Sequence, residues 1–140
     1  PFVPVQVNHT RSEPGVIRGL HLQHTPALGK VFFVARGSVW DVTVNLNIGC
    51  DRTPQYWQMT GSGGRALYVP PGVLHGFCVL GSDAADVVYL TDAPWNPKGE
   101  AGVRWDDPDL NIDWGLNGRK PILSDRDATL PYLKDLVLPT

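Results

Sequence analysis

The chain has 140 residues, a formal net charge of −2 and a charged fraction of only 19%. That balance offers no basic field for a nucleic-acid backbone and no polybasic run for an anionic membrane, so neither is expected as a partner. A hydrophobic share of 42% is enough for one packed core, so one domain over residues 1–140 is expected, and no stretch approaches the roughly 20 apolar residues of a membrane-spanning helix.

The chain opens at Pro1 rather than methionine, with no charged-then-apolar leader, and no signal peptide is expected. Fifteen glycines and 13 prolines, one residue in five, break long helices and favour short strands joined by turns. Phe2, Val5 and Val7 read as an extended lead-in, and Val16–Leu22 as a short strand. VFFVAR (Val31–Arg36) follows, then a turn at Gly37 and SVWDVTVNL (Ser38–Leu46). In that run Trp40, Val42, Val44 and Leu46 alternate with Asp41, Thr43 and Asn45, the period of a half-buried strand. Gln55–Thr60, Ala66–Val69, Gly76–Leu80 and Asp86–Thr91 complete the series, separated by GSGG, PPG and GSD turns. This rhythm predicts an antiparallel sandwich or barrel. After Asp92 the chain reads as a loop-rich wrap, and Ser124–Leu136 is expected to carry a short helix capped by Ser124. Cys50 and Cys78 form no metal-binding pattern; both are expected to be reduced and buried, which fits a cytoplasmic protein.

Four histidines stand at positions 9, 21, 24 and 75. His75 ends a PxGxxH turn of the kind found in small β-barrels, where the strand restarts with its histidine directed into the barrel mouth. Three histidines invite a metal reading, since neutral imidazoles suit zinc, iron or nickel. Against it, the HxxH pair His21/His24 points to opposite faces of a regular strand. No glutamate lies between Glu13 and Glu100 to complete a cupin metal site, and His24 reads as a surface loop residue rather than a ligand. The segment Arg18-Gly19-Leu20-His21 is more informative. Strict alternation would put Arg18 and His21 on opposite faces, so a shared site requires a bulge or strand end there.

RGLHLQ, GK with VFFVARGSVWDVTVNL, YVPPGVLHGFCVL, VVYLTD, RWDDPDLNIDW and PILSDRD occur in this order. Together they resemble the dTDP-4-dehydrorhamnose 3,5-epimerase family, metal-free cupin-like sugar-nucleotide epimerases, from about Asn8 to Asp127. The resemblance implies a cupin-like antiparallel β-barrel or jelly roll with a short C-terminal helical segment. It also implies that the family's N-terminal segment is absent from this chain. The implied substrate is a dTDP-4-keto-6-deoxyhexose, whose C4 ketone acidifies the hydrogens on C3 and C5, with epimerisation at C3, C5 or both and no cofactor or metal. By position, His21 matches the family's base, Asp127 its orienting carboxylate, Tyr89 its acid and Lys30 the group that stabilises the oxyanion on C4. Arg18 matches a diphosphate contact. His75 and Asp41 match positions lining the same cavity, His75 as a substrate contact, and Gln6 and Asn8 are further polar candidates. A homodimer is also implied.

The family's YKxTDxY reads here Tyr89-Leu90-Thr91-Asp92-Ala93-Pro94-Trp95. Leu90 replaces a lysine and Pro94 a ring that frames the sugar, with Trp95 one step on as the substitute. The expectation is a loosened sugar pocket, with unequal rates at C3 and C5. Two other readings compete: a metal-dependent cupin oxygenase or isomerase built on His21, His24 and His75, and a non-catalytic sugar-nucleotide-binding barrel.

Overall fold

The computed structural model describes residues 1–140. Nine strands carry the fold: β1 (Gln6–Ser12), β2 (Ile17–Gln23), β3 (Lys30–Arg36), β4 (Ser38–Asn45), β5 (Gln55–Thr60), β6 (Ala66–Val69), β7 (Val73–Val79), β8 (Ala85–Thr91) and β9 (Glu100–Gly102). They form two antiparallel sheets, a four-stranded one in the order β1-β8-β3-β6 and a five-stranded one in the order β5-β4-β7-β2-β9. The two sheets face each other in a cupin-like jelly roll. The strands foreseen from the sequence all form: β5 and β6 have the expected ends, β2, β3, β4, β7 and β8 shift at an end by one to three residues, and the extended lead-in becomes a strand only from Gln6. β9 had no such signal, since three residues are too few to show a period.

Two apolar clusters hold the layers. Phe32, Val34, Ala85 and Val87 of one sheet meet Val39, Met59, Phe77 and Val79 of the other, closing one end of the sandwich. The second cluster lies on the outer face of the five-stranded sheet. There Ile17, Leu20, Leu22, Val42, Val44 and Leu74 are covered by Val103, Leu110 and Trp114 from the wrap that follows β9. This corrects the reading of β4 as half-buried. Its apolar side lies under the wrap, and its polar side faces the interior, with Asp41 0% and Thr43 8% exposed. A strand covered on both faces can still alternate when an inward polar group has a buried partner, as Asp41 has in His75.

Hydrogen bonds fix the wrap in place. The buried carboxylate of Asp107 accepts from the backbone N–H groups of Asp109 and Leu110 through one oxygen, and from that of Leu133 at 2.6 Å through the other. Trp114 Nε1 donates to the Trp105 carbonyl at 2.7 Å, and Trp40 Nε1 to the Asp113 carbonyl at 2.9 Å. The helix expected after Ser124 is only one turn, α1 (Asp125–Ala128), with the Ser124 hydroxyl accepting from the Asp127 N–H. Pro131 lacks the N–H that continuation would need, and a separate 3₁₀ turn follows at Leu133–Asp135. No helix is long and apolar enough to cross a membrane.

The cysteines divide. Cys78 belongs to the outer cluster, and burial pushes its thiol up to about 11. Cys50 is exposed, contrary to expectation, because its N–H closes a turn on Asn47 O at the tip of the β4–β5 loop. Both are free thiols.

If the wrap is integral to the core, Trp114→Ala should lower unfolding stability by about 3–5 kcal/mol in urea titration. A loss below about 1 kcal/mol would mean that the wrap covers the sheet without stabilising it.

Candidate active site

A cavity of about 340 Å³ opens between the two sheets. Its walls follow from strand register. On the four-stranded sheet Asn8, Tyr89 and Phe32 stand opposite one another across β1, β8 and β3, and Gln6, Thr91 and Lys30 form the next such row. With a side-chain period of two, both rows face inward. The five-stranded sheet supplies Arg18, His21, His75 and Phe77 from the facing side.

Arg18 and His21 share this cavity because β2 is bulged. Arg18 pairs with Phe77 and His21 with His75, so three steps along β2 are matched by two along β7. The extra residue reverses the alternation and brings both side chains to one face. Gly19 sits in the bulge at φ +106°, where an added Cβ would lie 2.6 Å from the His75 carbonyl oxygen. Only glycine fits both the conformation and the space.

The bulge also binds the C-terminal segment. One Asp127 oxygen accepts from the Gly19 N–H at 3.2 Å, and the other accepts from His21 Nε2 at 2.5 Å. The Asp127 side chain is only 4% exposed, that of His21 25%. Burial alone would raise the Asp127 carboxyl. The hydrogen bond and charge of His21, the Gly19 N–H and Arg126 outweigh it and hold the group below the usual carboxylate range. An ionised carboxylate only accepts, so His21 Nε2 carries the proton and Nδ1 keeps the basic lone pair. The arrangement is that of a general base with its orienting carboxylate.

A second histidine–aspartate pair lies at the cavity's inner wall. His75 Nε2 bonds Asp41 Oδ2 at 2.7 Å, and the Phe32 ring meets the imidazole edge-on at 4.8 Å. Burial raises the Asp41 carboxyl against the opposing pull of His75, and its Oδ1 has no partner. Lys30 has no hydrogen-bonded side-chain partner. Burial lowers its ammonium below the ordinary lysine range, while Glu100 and Asp41 pull it back. Burial raises the Tyr89 phenol, Glu100 adds to this and Arg18 opposes it, so the hydroxyl stays protonated as a donor. The Arg18 Nε donates to the Ser12 hydroxyl at 2.8 Å, which aims the guanidinium from its base.

All nine candidate residues, His21, Asp127, Tyr89, Lys30, Arg18, His75, Gln6, Asn8 and Trp95, line this one cavity. Asp41 lies behind His75. Sequence reasoning missed Glu100 and Arg126, which also line it and pair with each other at 2.7 Å. Arg126 is adjacent to Asp127 in SDRD and could have been noticed there; Glu100 sits on the unforeseen β9. Gln23, buried on β2, was likewise missed. His24 is exposed outside the cavity, and no three His, Cys, Asp or Glu side chains are grouped to hold a metal ion.

The departures at positions 90 and 94 read differently in three dimensions. Leu90 lies between Tyr89 and Thr91, hence on the outer face of β8 beside Val7 and Val31, and it takes no part in the cavity. Its replacement of a lysine therefore does not loosen the sugar pocket. Pro94 is exposed and does not line the cavity, whereas Trp95 does.

The family model described as dTDP-4-dehydrorhamnose 3,5-epimerase matches residues 1–135. The dTDP-4-dehydrorhamnose 3,5-epimerase of Pseudomonas aeruginosa is 41% identical over 128 residues, 88% of this chain and 68% of that protein. The crystal structure of the dTDP-6-deoxy-D-glucose-3,5-epimerase of Legionella pneumophila, in complex with dTDP-4-keto-L-rhamnose, superposes with a TM-score of 0.91 at 36% identity, covering 98% of this chain and 74% of that one. A 3'-monoepimerase from Streptomyces bikiniensis, in complex with dTDP-quinovose, gives 0.87 at 34% identity, covering 95% and 68%. With its jelly roll, its bulged β2 and a match along nearly its whole length, the chain belongs to the dTDP-4-dehydrorhamnose 3,5-epimerase family.

Proposed function

We propose that this protein epimerises a dTDP-4-keto-6-deoxyhexose at the carbons flanking its C4 ketone, in the making of a rhamnose-type nucleotide sugar. The observation that carries this reading is that a histidine–carboxylate base and a protonated tyrosine enter one cavity from facing sheets. Inversion needs that separation: a proton leaves one face of a carbon and another arrives on the opposite face.

In this reading His21 Nδ1 takes the proton from the carbon beside the ketone. The C–H electrons form a carbon–carbon double bond, and the carbonyl electrons move to O4. Lys30 stabilises the resulting oxyanion, and a cation in a partly desolvated site does so more strongly than in water. Asp127 stabilises the imidazolium that forms. Tyr89 then gives its hydroxyl proton to the opposite face while the enolate collapses to the ketone. Proton exchange with water restores both groups. Arg18 holds the diphosphate, His75, Asn8 and Gln6 face the sugar end, and Trp95 forms part of the mouth. The chemistry at C3 and C5 is the same, since both flank one ketone. The reading takes residues 1–140 as one epimerase domain and requires no cofactor; the metal-dependent reading has no ligand cluster to build on.

It also makes the protein a homodimer. Val7, Leu90, Val31 and Tyr68 stand in one row across all four strands of the outer sheet face, with Val7 62% and Tyr68 52% exposed. His9, Val88, Phe33 and Ala66 form the next row. A second copy covering this face would bury it, and two-fold pairs are the commonest soluble assembly. Leu90 then serves that contact, which accounts for an apolar residue there. The free thiols of Cys50 and Cys78 fit a cytoplasmic location.

His21→Asn should reduce deuterium incorporation from heavy water into dTDP-4-keto-6-deoxyglucose by on the order of 10²- to 10⁴-fold, with an unchanged circular dichroism spectrum. Incorporation at the parent rate would assign the base elsewhere. Tyr89→Phe is expected to retain exchange but lose inversion, seen by NMR as deuterium in unepimerised substrate; epimerised product at the parent rate would refute Tyr89 as the acid. Val7→Asp should shift the mass in light scattering from dimer to monomer, and a parent chain that is monomeric at working concentration would contradict the assembly.

A further inference from the structure

Lys30 is the first residue of β3, and its ammonium is tied to no other side chain. Where it points is therefore decided by the backbone that carries it. On one side the sheet fixes that backbone, since Lys30 pairs with Thr91 of β8 and with Val69 of β6. On the other side the strand has ended, because Gly29 lies before it. A strand end frays unless its free N–H and C=O groups find partners.

Both partners come from one residue, 63 positions away in the chain. The Asp92 N–H donates to the Gly29 carbonyl at 3.2 Å, and Asp92 Oδ1 accepts from the Gly29 N–H at 2.7 Å. The turn that carries Asp92 is closed in its own right, because the Thr91 hydroxyl donates to the Ala93 carbonyl at 2.8 Å. The close approach needs glycine at position 29. A Cβ there would lie 2.9 Å from Asp92 Oδ2 and 3.2 Å from the Tyr68 hydroxyl oxygen. Thr91 and Lys30 line the cavity, and Asp92 does not. Its carboxylate is spent on the backbone next to the lysine.

We propose that Asp92 is a positioning residue for Lys30: by gripping both backbone groups of Gly29 it fixes the start of β3 and holds the ammonium ready for the oxyanion that forms on O4. The proposal rests on the epimerase reading for the part given to Lys30. A charge that stabilises a transition state works by being in place before the opposite charge develops. The lysine stem is long and flexible, so a loosened backbone is passed on to the ammonium undiminished. It also gives a use to the Gly29-Lys30 and Thr91-Asp92 pairs together, since each supplies one half of the contact.

The test is a double-mutant cycle read by deuterium incorporation into dTDP-4-keto-6-deoxyglucose. Asp92→Ala should lower kcat by on the order of tenfold to a hundredfold, the cost of misplacing a catalytic group, with KM changed by less than about twofold. Asp92→Asn, which keeps an acceptor oxygen for the Gly29 N–H, should restore most of the parent rate. In the Lys30→Ala background Asp92→Ala should cost less than about twofold more. Added methylammonium should rescue Lys30→Ala and the double variant to the same extent. An undiminished Asp92→Ala effect in that background, or rescue lost only in the double variant, would mean that Asp92 supports the cavity as a whole and would overturn the proposal. A loss carried by KM alone would do the same. Should Asp92→Ala fail to fold by circular dichroism, Gly29→Ala, which crowds the same carboxylate, goes through the same cycle. Loss of the fold in both would overturn the proposal, since the contact would then hold the molecule rather than the lysine. A readout independent of turnover is the titration of the Lys30 amine, followed by carbon-13 NMR at Cε. Burial holds it below the ordinary lysine range in the parent, and in Asp92→Ala it should move up as the stem reaches water. Equal titration in the two would contradict the proposal. If the titration moves and the parent gives no deuterium exchange, the epimerase reading fails while the positioning stands.

Discussion

The carboxylate of Asp127 joins two parts of this molecule that are over a hundred residues apart in sequence. One oxygen ties α1 to the backbone of the β2 bulge, and the other holds the His21 imidazole. The bulge itself depends on Gly19, and without the extra residue Arg18 and His21 would point to opposite faces of the sheet. A buried carboxylate is costly unless each oxygen has a partner, and here each has one. Docking of the C-terminal segment and the orienting of the His21 imidazole are therefore one event. The wrap between β9 and α1 delivers Asp127 to this point by covering the outer face of the same sheet.

Seen from the cavity, the two sheets divide the labour. The five-stranded sheet and α1 supply His21, Asp127 and Arg18, and the four-stranded sheet supplies Tyr89 and Lys30. Charge follows the same division. Asp127 is held ionised beside His21, while burial and Glu100 keep the Tyr89 hydroxyl protonated. A base with its counter-charge facing an acid that keeps its proton is the polarity that inversion across a sugar ring requires. Glu100 and Arg126 close one side of the mouth with an ion pair, and Trp95 stands at the mouth as well.

Much of this was legible in the residues, for physical reasons that can be named. Glycine and proline punctuation with period-two runs gave the strands, because each strand must separate two environments. The need for a bulge at Arg18–His21 followed from side-chain parity alone. The pairing of His21 with Asp127, over a hundred residues apart, came from resemblance; nothing in the local pattern of SDRD distinguishes Asp127 from Asp125. Elsewhere the pattern misled. β4 alternates like a half-exposed strand, yet its polar face is buried, since a paired group such as Asp41 with His75 can stand inside as well as in solvent. Leu90 looked like a loss from the pocket until strand parity placed it outside. Glu100 was invisible because it depends on a three-residue strand.

The most direct test of the account is the protonation state of the His21 ring. Nitrogen-15 NMR of side-chain-labelled protein, with resonances assigned by comparison with His21→Asn, distinguishes the two neutral tautomers. The account predicts the proton on Nε2, shared with Asp127 and resonating far downfield, with Nδ1 unprotonated towards the cavity. A proton on Nδ1, with Nε2 as the free nitrogen, would contradict it, because the lone pair would then face the carboxylate and the site would have no base.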